Sequence, residues 1–551
     1  MELNLDLDPI LPSSQPESMT EFVNSRGQPA TRSTTGGWTS ALFIIGVEVA
    51  ERCAYYGISS NLITYLTGPL SEGTATAAAA LNTWSGVATM LPLLGAFIAD
   101  SWLGRYRTIV FASLLYIMGL GMLTISSIIP STSNSHCNDS TNQKNCTNAS
   151  SHKALFFFSL YLVAFAQGGH KPCVQAFGAD QFDQSDPRER ISKNSFFNWW
   201  YFGICASGGV AVVTMSYVQD NIGWGLGFGI PCGIMILALL LFLLGTRTYR
   251  YFVLEEENPF IRVGRSFVAL ARSWKSKGFC VRGPVDVNSL SDEDNADASV
   301  EAKGLLRLFP IWATCLIYGV LFAQSSTFFT KQASTLDRKI SGNVEVPPAA
   351  LQVFISVAII CFIPIYDKLL VPFTRKFTQI PSGITMLQRI GTGMALSLLA
   401  VVVAALVEIK RLKTAKEYGL VDKPKVPVPM SLWWMVPQYL LFGMADVFTI
   451  VGMQEFFYDQ VPDALRSLGL AFYLSVLGVG SFISSFLISV IDKISSAKGK
   501  SWFSNNLNQA HLDYFYWFLA GLSAFELFSF YIFRKYMCIG KGFGSMQMCN
   551  M

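Results

Sequence analysis

Long apolar segments follow one another along almost the whole chain, and they constrain its fold more than any other feature. A helix needs about twenty mainly apolar residues to cross the hydrocarbon core of a bilayer. Segments of this kind lie at 40–66, 75–99, 107–130, 154–178, 194–218, 224–245, 306–331, 348–372, 384–408, 431–457, 465–491 and 511–534. Charged residues make up only 14% of the chain, whereas soluble proteins carry about 25%. The sequence therefore predicts an all-α polytopic membrane protein with twelve transmembrane helices.

The distribution of basic residues predicts which side of the membrane holds the termini. An even number of spans places both termini on one side, and cytosolic loops are enriched in lysine and arginine. The loops after the second and fourth segments are basic, and so is the linker after the sixth. We therefore expect both termini in the cytosol. The loop after the ninth segment conflicts with this orientation, because residues 409–430 are rich in lysine although they should lie outside.

The loop after the third segment carries features of a non-cytosolic compartment. Three glycosylation sequons begin at Asn138, Asn145 and Asn148, within a stretch rich in serine, threonine and asparagine. Cys137 and Cys146 lie in the same loop. An oxidising compartment would allow these two cysteines to form a disulfide.

A long polar linker divides the chain into two sets of six segments. Its first part alternates apolar and basic residues at helical spacing, which predicts an amphipathic helix on the membrane surface. We predict a disordered cytosolic arm at 1–37, a first bundle at 38–245, the cytosolic linker at 246–305, a second bundle at 306–535 and a cytosolic tail at 536–551.

Three charged residues lie inside the first apolar segment. Glu48, Glu51 and Arg52 are spaced i, i+3 and i+4, so they share one face of a helix. A charge at the centre of a spanning helix costs about 2.5–3.5 kcal/mol on insertion scales and usually marks a functional site. Glu48 and Arg52 can pair, which would leave Glu51 to exchange a proton. The alternative is a salt bridge that only fixes helix packing. Tyr55 and Tyr56 follow on the next turn.

The fourth segment carries Lys171, which needs an anionic partner at membrane depth. Glu51 or Glu48 is the obvious candidate. His170 precedes Lys171 and therefore points about 100° away on a helix. We interpret His170 as a packing or cavity-lining residue.

The tenth segment contains Asp446 and Glu455, which are nine positions apart. They face opposite sides of a regular helix, so at most one should line the same cavity as Glu51. Single amides such as Asn198 and Gln324 rank below the charges, because amides in spanning helices often form only interhelical hydrogen bonds.

The sequence contains no motif of a common enzyme class. It has no P-loop, no H-E-x-x-H, no G-x-S-x-G and no cysteine–histidine array with metal-ligand spacing. We expect no catalytic residue, no metal and no cofactor, with protons as the coupling ion. The net charge of +4 is too small and too scattered to imply a nucleic-acid partner.

Several motifs together resemble the proton-dependent oligopeptide transporter family, and most closely its plant branch of nitrate/peptide transporters. The first is Glu48-x-x-Glu51-Arg52-x-x-Tyr55-Tyr56, with Cys53 in place of the usual phenylalanine. The others are the turn at 95–106 and the helix signatures at 168–182, 196–202 and 455–458. The resemblance extends over about 36–540.

This resemblance implies a major facilitator fold, in which two six-helix bundles rock around a central cavity. It also implies that Glu48, Glu51 and Arg52 bind and pass the coupling proton, with Lys171 as their charge partner. The expected substrate cavity includes Tyr55, Tyr56, Asn198, Phe322, Gln324 and Glu455. Glu455 would bridge to the other bundle or meet a substrate amine.

Two further positions bear on substrate and regulation. Phe322 stands where well-studied nitrate carriers of the family have a histidine, which weakens nitrate binding by that route. Thr108 matches a threonine that is phosphorylated in one branch, so a kinase acting there or on the linker is a candidate partner. The alternative is that Thr108 is an ordinary residue at a helix start.

The expected function is proton-coupled secondary transport of nitrate, small peptides or related nitrogenous solutes by alternating access. The alternatives are a transporter-like nutrient sensor, a passive channel, or a carrier of another small organic solute such as a hormone or secondary metabolite. We expect a monomer or weak dimer in the lipid bilayer of the plasma or vacuolar membrane.

Overall fold

Helices form most of the chain in the computed structural model, which describes residues 18–129, 143–183, 186–252, 308–341, 344–378, 383–459, 466–497 and 499–539. The helices are α1 (Gly37–Ser59), α2 (Leu62–Thr67), α3 (Thr74–Ile98), α4 (Arg105–Ile128), α5 (Gln143–Ala179), α6 (Pro187–Asn221), α7 (Trp224–Leu244), α8 (Leu308–Phe322, with a turn at Cys315), α9 (Phe328–Ser334), α10 (Val353–Ile365), α11 (Val371–Thr378), α12 (Met386–Glu417), α13 (Val436–Asp459), α14 (Arg466–Ala497) and α15 (Leu512–Ile539).

Short strands and turns connect these helices. The strands are β1 (Ser18–Val23), β2 (Pro29–Thr31), β3 (Tyr251–Phe252), β4 (Leu336–Asp337), β5 (Lys339–Ser341), β6 (Val344–Glu345) and β7 (Val428–Ser431). They pair as a three-stranded sheet of order β2-β1-β3 and two two-stranded sheets, β4-β7 and β5-β6. Five-residue π-helical turns continue α3 at Ala99–Leu103 and α10 at Tyr366–Leu370.

Nine helices of the described residues are long and apolar enough to cross a membrane. They lie on α3, α4, α6, α7, α10, α12, α13, α14 and α15. The three other predicted segments fall on α1, which carries three charges, on α5 and on the shorter apolar helix α8. The total of twelve spans therefore stays a prediction.

The helices pack as two groups. Helices α1 and α3–α7 contact one another, and α8, α10 and α12–α15 do the same. The groups meet where α3 lies against α14 and where α6 lies against α10. This arrangement of helix pairs buries an apolar core along both groups.

Side-chain hydrogen bonds join the two groups at the end of the molecule where α1 ends and α3 begins. Gln352 Nε2 donates to the Ser60 carbonyl at 2.8 Å, and Lys331 Nζ donates to Thr67 Oγ1 at 3.1 Å. Deeper along α3, Asn82 Nδ2 donates to Ser484 Oγ at 2.9 Å. The two groups are thus held together at this end by polar contacts.

The N-terminal arm is partly ordered, which corrects the prediction of disorder for residues 1–37. Strands β1 and β2 pair with each other, and β1 also pairs with β3, which follows α7. Arg32 forms ion pairs with Asp183 at 2.5 Å and Asp186 at 3.4 Å. The strand β3 lies more than two hundred positions from β1 in the chain, so their pairing leaves no local pattern in the sequence that would predict order in the arm.

Several predicted features lie outside the described residues. They are Cys137, Asn138 and the proposed amphipathic helix of the linker. Asn145, Cys146 and Asn148 lie on the first turns of α5, although their side chains are not among those described. Helix α5 thus begins inside the predicted loop.

The first part of the lysine-rich stretch after the ninth segment is helical, not a loop, because α12 continues to Glu417. Arg411 is fully buried there. It contacts Glu408 at 2.6 Å and also donates to the Asn508 side chain and to the Leu507 carbonyl. Its charge is therefore balanced inside the protein.

Replacement of Glu408 by glutamine should destabilise the protein, because Arg411 would keep its charge in the interior without a carboxylate. Removing one partner of a buried ion pair costs about 3–5 kcal/mol. We expect a clearly lower midpoint of thermal denaturation for Glu408→Gln in lipid nanodiscs.

The exposed pair of Lys413 and Glu417, 3.9 Å apart on the same helix, supplies the control. Glu417→Gln should change the stability by about 1 kcal/mol or less, because solvent screens an exposed pair. Equal midpoints for the two variants would contradict the structural role of the buried pair.

Candidate functional site

The three charged residues of α1 lie together in the interior of the first helix group. Glu48 is 2% exposed, Glu51 0% and Arg52 4%. The guanidinium of Arg52 contacts Glu51 directly, and its Nε lies 3.3 Å from Glu48 Oε1. One cation is thus shared by two carboxylates.

The structure contains the Glu48–Arg52 pair that the spacing predicts, but the inference that Glu51 is left free is wrong. Arg52 binds Glu51 from the adjacent position, because a long, forked guanidinium presents donors on two edges. The hydroxyl of Tyr116 on α4 donates to the other oxygen of Glu51 at 3.3 Å. Among the described residues, Glu48 Oε2 is buried without a hydrogen-bond partner. Glu48 therefore has the freer oxygen.

His170 on α5 lies against this cluster. One oxygen each of Glu48 and Glu51 and one ring nitrogen of His170 lie within 4.8 Å of one another. The imidazole is fully buried, has no hydrogen-bond partner for either nitrogen in the described part of the chain, and meets the ring of Tyr116 edge-on at 6.5 Å. Three such groups could ligate a small cation, but Arg52 already occupies the carboxylates.

Lys171 is half-buried and forms no ion pair with either glutamate. No carboxylate oxygen of the described residues lies within 4.0 Å of its Nζ, so the expected pair with Glu51 or Glu48 is absent. Lys171 still interacts electrostatically with Arg52, Glu51 and Glu48. The rotation of α5 decides this outcome, because it turns His170 rather than Lys171 toward the carboxylates.

The two tyrosines of the motif extend the cluster toward the neighbouring helices. The Tyr55 ring stacks on Trp84 of α3 at 5.6 Å, and the Arg52 guanidinium lies 5.4 Å from the centre of the same ring. Tyr56 meets Tyr55 edge-on at 5.5 Å. Both tyrosines are half-buried.

Glu455 is bound within its own helix group. Its Oε2 lies 3.2 Å from Arg389 on α12, and its side chain is 42% exposed. The Arg389 guanidinium also lies over the Tyr366 ring at 4.6 Å. The expected bridge across the cavity is therefore not formed here. Arg389 is not among the residues predicted from the sequence, although a charge in the first turn of an apolar segment is a usable signal.

Gln324 forms its hydrogen bonds within the second helix group. It is fully buried and donates to the Val320 carbonyl at 2.8 Å and to Ser484 Oγ at 3.0 Å. Phe322 is half-buried and its ring lies 6.3 Å from that of Phe442. The side chain of Asn198 is outside the described residues.

Thr108 lies on the first turn of α4. Its hydroxyl donates to the Gly104 carbonyl at 2.9 Å, and the residue is 5% exposed. This environment matches a structural threonine at a helix start. A kinase would have to reach a largely buried hydroxyl.

Close contact of α3 with α5 positions His170 and Lys171. A Cβ at Gly95 would lie 2.0 Å from the Gly168 carbonyl oxygen, and one at Gly168 would lie 2.6 Å from the Leu91 side chain. Glycines at these positions let the two backbones approach closely, as is common where membrane helices pack.

Comparison with known proteins identifies relatives over almost the whole chain. The model of the POT family (PTR2) matches residues 106–503. Protein NRT1/PTR FAMILY 5.10 of Arabidopsis thaliana is 57% identical over 94% of this chain and 96% of its own length. Protein NRT1/PTR FAMILY 5.14 of the same plant is 53% identical over 95% of this chain and 98% of its own length.

Solved structures share the fold. The POT family transporter PepTSo matches with a TM-score of 0.72 at 22% identity, over 92% of this chain and 99% of its own. A POT family transporter in complex with 5-aminolevulinic acid matches with a TM-score of 0.65 at 14% identity, over 91% of this chain and 97% of its own. These likenesses show the major facilitator fold.

Replacement of Gly95 by alanine should separate α3 from α5 and displace the His170–Lys171 turn. Overpacking a tight interior contact costs about 1–3 kcal/mol. We expect Gly95→Ala to lower the thermal denaturation midpoint and to reduce transport. Gly121→Ala on α4, where no atom would lie within 4 Å of the new Cβ, should change neither. The contact would have no such role if the two variants proved equally stable and active.

Proposed function

The chain belongs to the POT family, and we propose that it is a proton-coupled secondary transporter that works by alternating access. Its substrates are nitrate, small peptides or related nitrogenous solutes. The observation that carries this proposal is the buried cluster in which Arg52 is shared by Glu48 and Glu51. Both the fold and the family support it.

The charges of the cluster suggest how one proton is coupled to one substrate. With both carboxylates ionised, Glu48, Glu51 and Arg52 carry one net negative charge, and the nearby Lys171 balances it. Binding of a proton leaves these three residues and Lys171 together with one net positive charge in a poorly solvated place, which is unfavourable without a counter-ion. A substrate anion restores neutrality. Proton and anion therefore favour each other's binding.

Glu48 is the carboxylate that we propose takes the proton. Its Oε2 has no hydrogen-bond partner among the described residues, whereas Glu51 is held by Arg52 and Tyr116. Protonation of Glu48 would weaken its ion pair with Arg52, and Arg52 would then pair with Glu51 alone. The role of Glu51 is to hold the guanidinium in place.

Lys171 is the cation that we propose meets the substrate anion. It has no ion-pair partner in the described part of the chain and stays half-buried, so a nitrate or a peptide carboxylate can approach it without breaking a salt bridge. In the second helix group, Glu455 could receive an amino group, although it would have to exchange Arg389 for the substrate. A POT family transporter of the same fold was solved in complex with 5-aminolevulinic acid, a ligand that carries both groups.

Alternating access requires the contacts between the two helix groups to break and re-form. The hydrogen bonds from Gln352 to Ser60 and from Lys331 to Thr67 close one end. The bond from the Gln352 amide is worth about 0.5–1.5 kcal/mol net and the one from the Lys331 ammonium about 1.5–3 kcal/mol, so the end can open at a modest cost. We also propose cytosolic termini, from the basic loops of the first half, and a plasma or vacuolar membrane location.

Glu48→Gln should abolish accumulation of substrate driven by a pH gradient and preserve exchange of internal for external substrate. The amide cannot take up a proton, but it keeps the shape of the site. Uptake into proteoliposomes measures both modes, with nitrate and a mixed dipeptide pool as substrates. Glu51→Gln should also lose driven accumulation, with lower thermal stability because Arg52 loses its closest partner.

The control for this experiment is Glu72→Gln, which removes a surface carboxylate that binds Lys153 at 2.8 Å. Driven accumulation should persist in that variant. If Glu48→Gln concentrated substrate as well as the wild type does under the same gradient, the proposed proton acceptor would be wrong.

Lys171→Gln should weaken binding of an anionic or zwitterionic substrate without loss of stability, because no ion pair is broken. A hydrogen bond to a charged group is worth about 1.5–3 kcal/mol, so the KM should rise about 10- to 100-fold. Lys413→Gln removes an exposed lysine on α12 and should leave the KM unchanged. An unaltered KM in Lys171→Gln would remove Lys171 from the substrate site.

A further inference from the structure

Two carboxyl groups of the second helix group lie deep in the protein, away from the α1 cluster. Asp446 on α13 is 5% exposed, and Glu526 on α15 is 2% exposed. Both residues lie inside apolar segments. The transport mechanism proposed above uses neither.

Tyr318 on α8 contacts both carboxyl groups. Its hydroxyl donates to Asp446 Oδ1, and its backbone N–H donates to Glu526 Oε1 at 2.9 Å. The N–H is available because α8 is interrupted at Cys315, and an N–H in the first turn after a break lacks a carbonyl partner in its own helix. One tyrosine therefore spans the distance between the two acids.

Neither carboxyl group has a cation beside it within the described ranges. In the regions that the structure describes, no lysine, arginine or histidine nitrogen lies within 4.0 Å of Asp446 or Glu526. Arg389 reaches α13, but it binds Glu455 and the Val447 carbonyl. The other titratable groups that face the pair are the phenol of Tyr318 and the thiol of Cys315.

Unsatisfied polar atoms occur on Glu526 itself and about one helical turn from each carboxyl group on the same helices. Glu526 Oε2 is buried and has no hydrogen-bond partner in the described residues. The hydroxyls of Thr449, three positions after Asp446, and of Ser523, three positions before Glu526, are in the same condition. A carboxylate has only acceptor oxygens, whereas a carboxylic acid has an O–H that can donate to such a neighbour.

We propose that Asp446 and Glu526 form a second proton-binding site, which is linked to α8 through Tyr318. An ionised carboxylate removed from water without a cation is so unfavourable that the group takes up a proton instead. Each carboxylate binds one proton from solvent and becomes a neutral acid. The protein then has two places that bind protons, this pair and the α1 cluster with Glu48.

The position of Tyr318 connects this site to the contact between the helix groups. The neighbouring Gly319 packs on α14 so closely that a Cβ would lie 2.6 Å from the Val476 carbonyl oxygen. Helix α14 in turn lies against α3. A change of the α8–α14 contact during alternating access would alter the hydrogen bonds of Tyr318, and with them the retention of protons by Asp446 and Glu526.

Infrared spectroscopy of the full-length protein in lipid nanodiscs at neutral pH tests the proposal. Protonated carboxyl groups give a C=O stretching band that carboxylates lack. Asp446→Asn and Glu526→Gln should each remove a separate part of this band, and the double variant should remove both parts. Asp337→Asn, at an exposed position of β4, serves as the control and should leave the band unchanged.

Tyr318→Phe provides a variant that keeps both acids. It removes the donor to Asp446 but keeps the backbone N–H that binds Glu526. The Asp446 component should therefore move to higher wavenumber, because loss of a hydrogen bond strengthens the C=O bond, and the Glu526 component should stay in place. An unchanged Asp446 component would overturn the link through Tyr318.

The proposal fails if the band of the single variants equals that of the wild type, because both groups would then be ionised. The measurement needs no substrate and no gradient. It should give the same result in the Glu48→Gln background, so it remains decisive whether or not the proteoliposome experiments support proton-coupled transport.

Discussion

The contact of one buried guanidinium with two carboxylates is the interaction on which the rest of this structure depends. Arg52 balances only one of the charges of Glu48 and Glu51. In a medium that solvates charge poorly, the remaining negative charge must be matched by a proton or by Lys171. This charge deficit is the physical basis of the coupling between proton and anion that we propose above.

The surrounding helices hold this cluster in place through close contacts. Gly95 and Gly168 let α3 and α5 touch, and Tyr116 of α4 reaches Glu51. The two helix groups are joined at one end by side-chain hydrogen bonds to the Ser60 carbonyl and to the Thr67 hydroxyl, and along α3 and α14 by close helix packing. A rocking motion of two rigid bodies would break the hydrogen bonds at that end while the helices within each group stay packed.

The two helix groups balance charge differently. The first surrounds a cation with carboxylates, whereas in the second Arg389 binds the half-exposed Glu455, and no cation of the described residues pairs with Asp446 or Glu526. A buried carboxyl group that shares a cation can stay ionised, whereas burial without a cation favours the neutral acid. The two halves of a pseudo-symmetric fold can therefore bind protons by different physical means.

The sequence by itself determined the membrane class, the order of most helices and the grouping of Glu48, Glu51 and Arg52. These features depend on local spacing, and helix geometry converts spacing into a shared face without any knowledge of the neighbours. The family motifs likewise identified the fold. The sequence could not decide which carboxylate keeps a free oxygen, because that depends on Tyr116 from another helix.

Tertiary structure alone decided the contacts between helices. Arg389 and Glu455 are 66 positions apart, and Tyr318 and Glu526 are 208 apart. The rotation of α5 turned His170 instead of Lys171 toward α1, and the sheet of β1 with β3 ordered part of an arm that looks disordered in the sequence. Such outcomes depend on how each helix is rotated and packed against its neighbours, and residue spacing within one segment carries no information about that rotation.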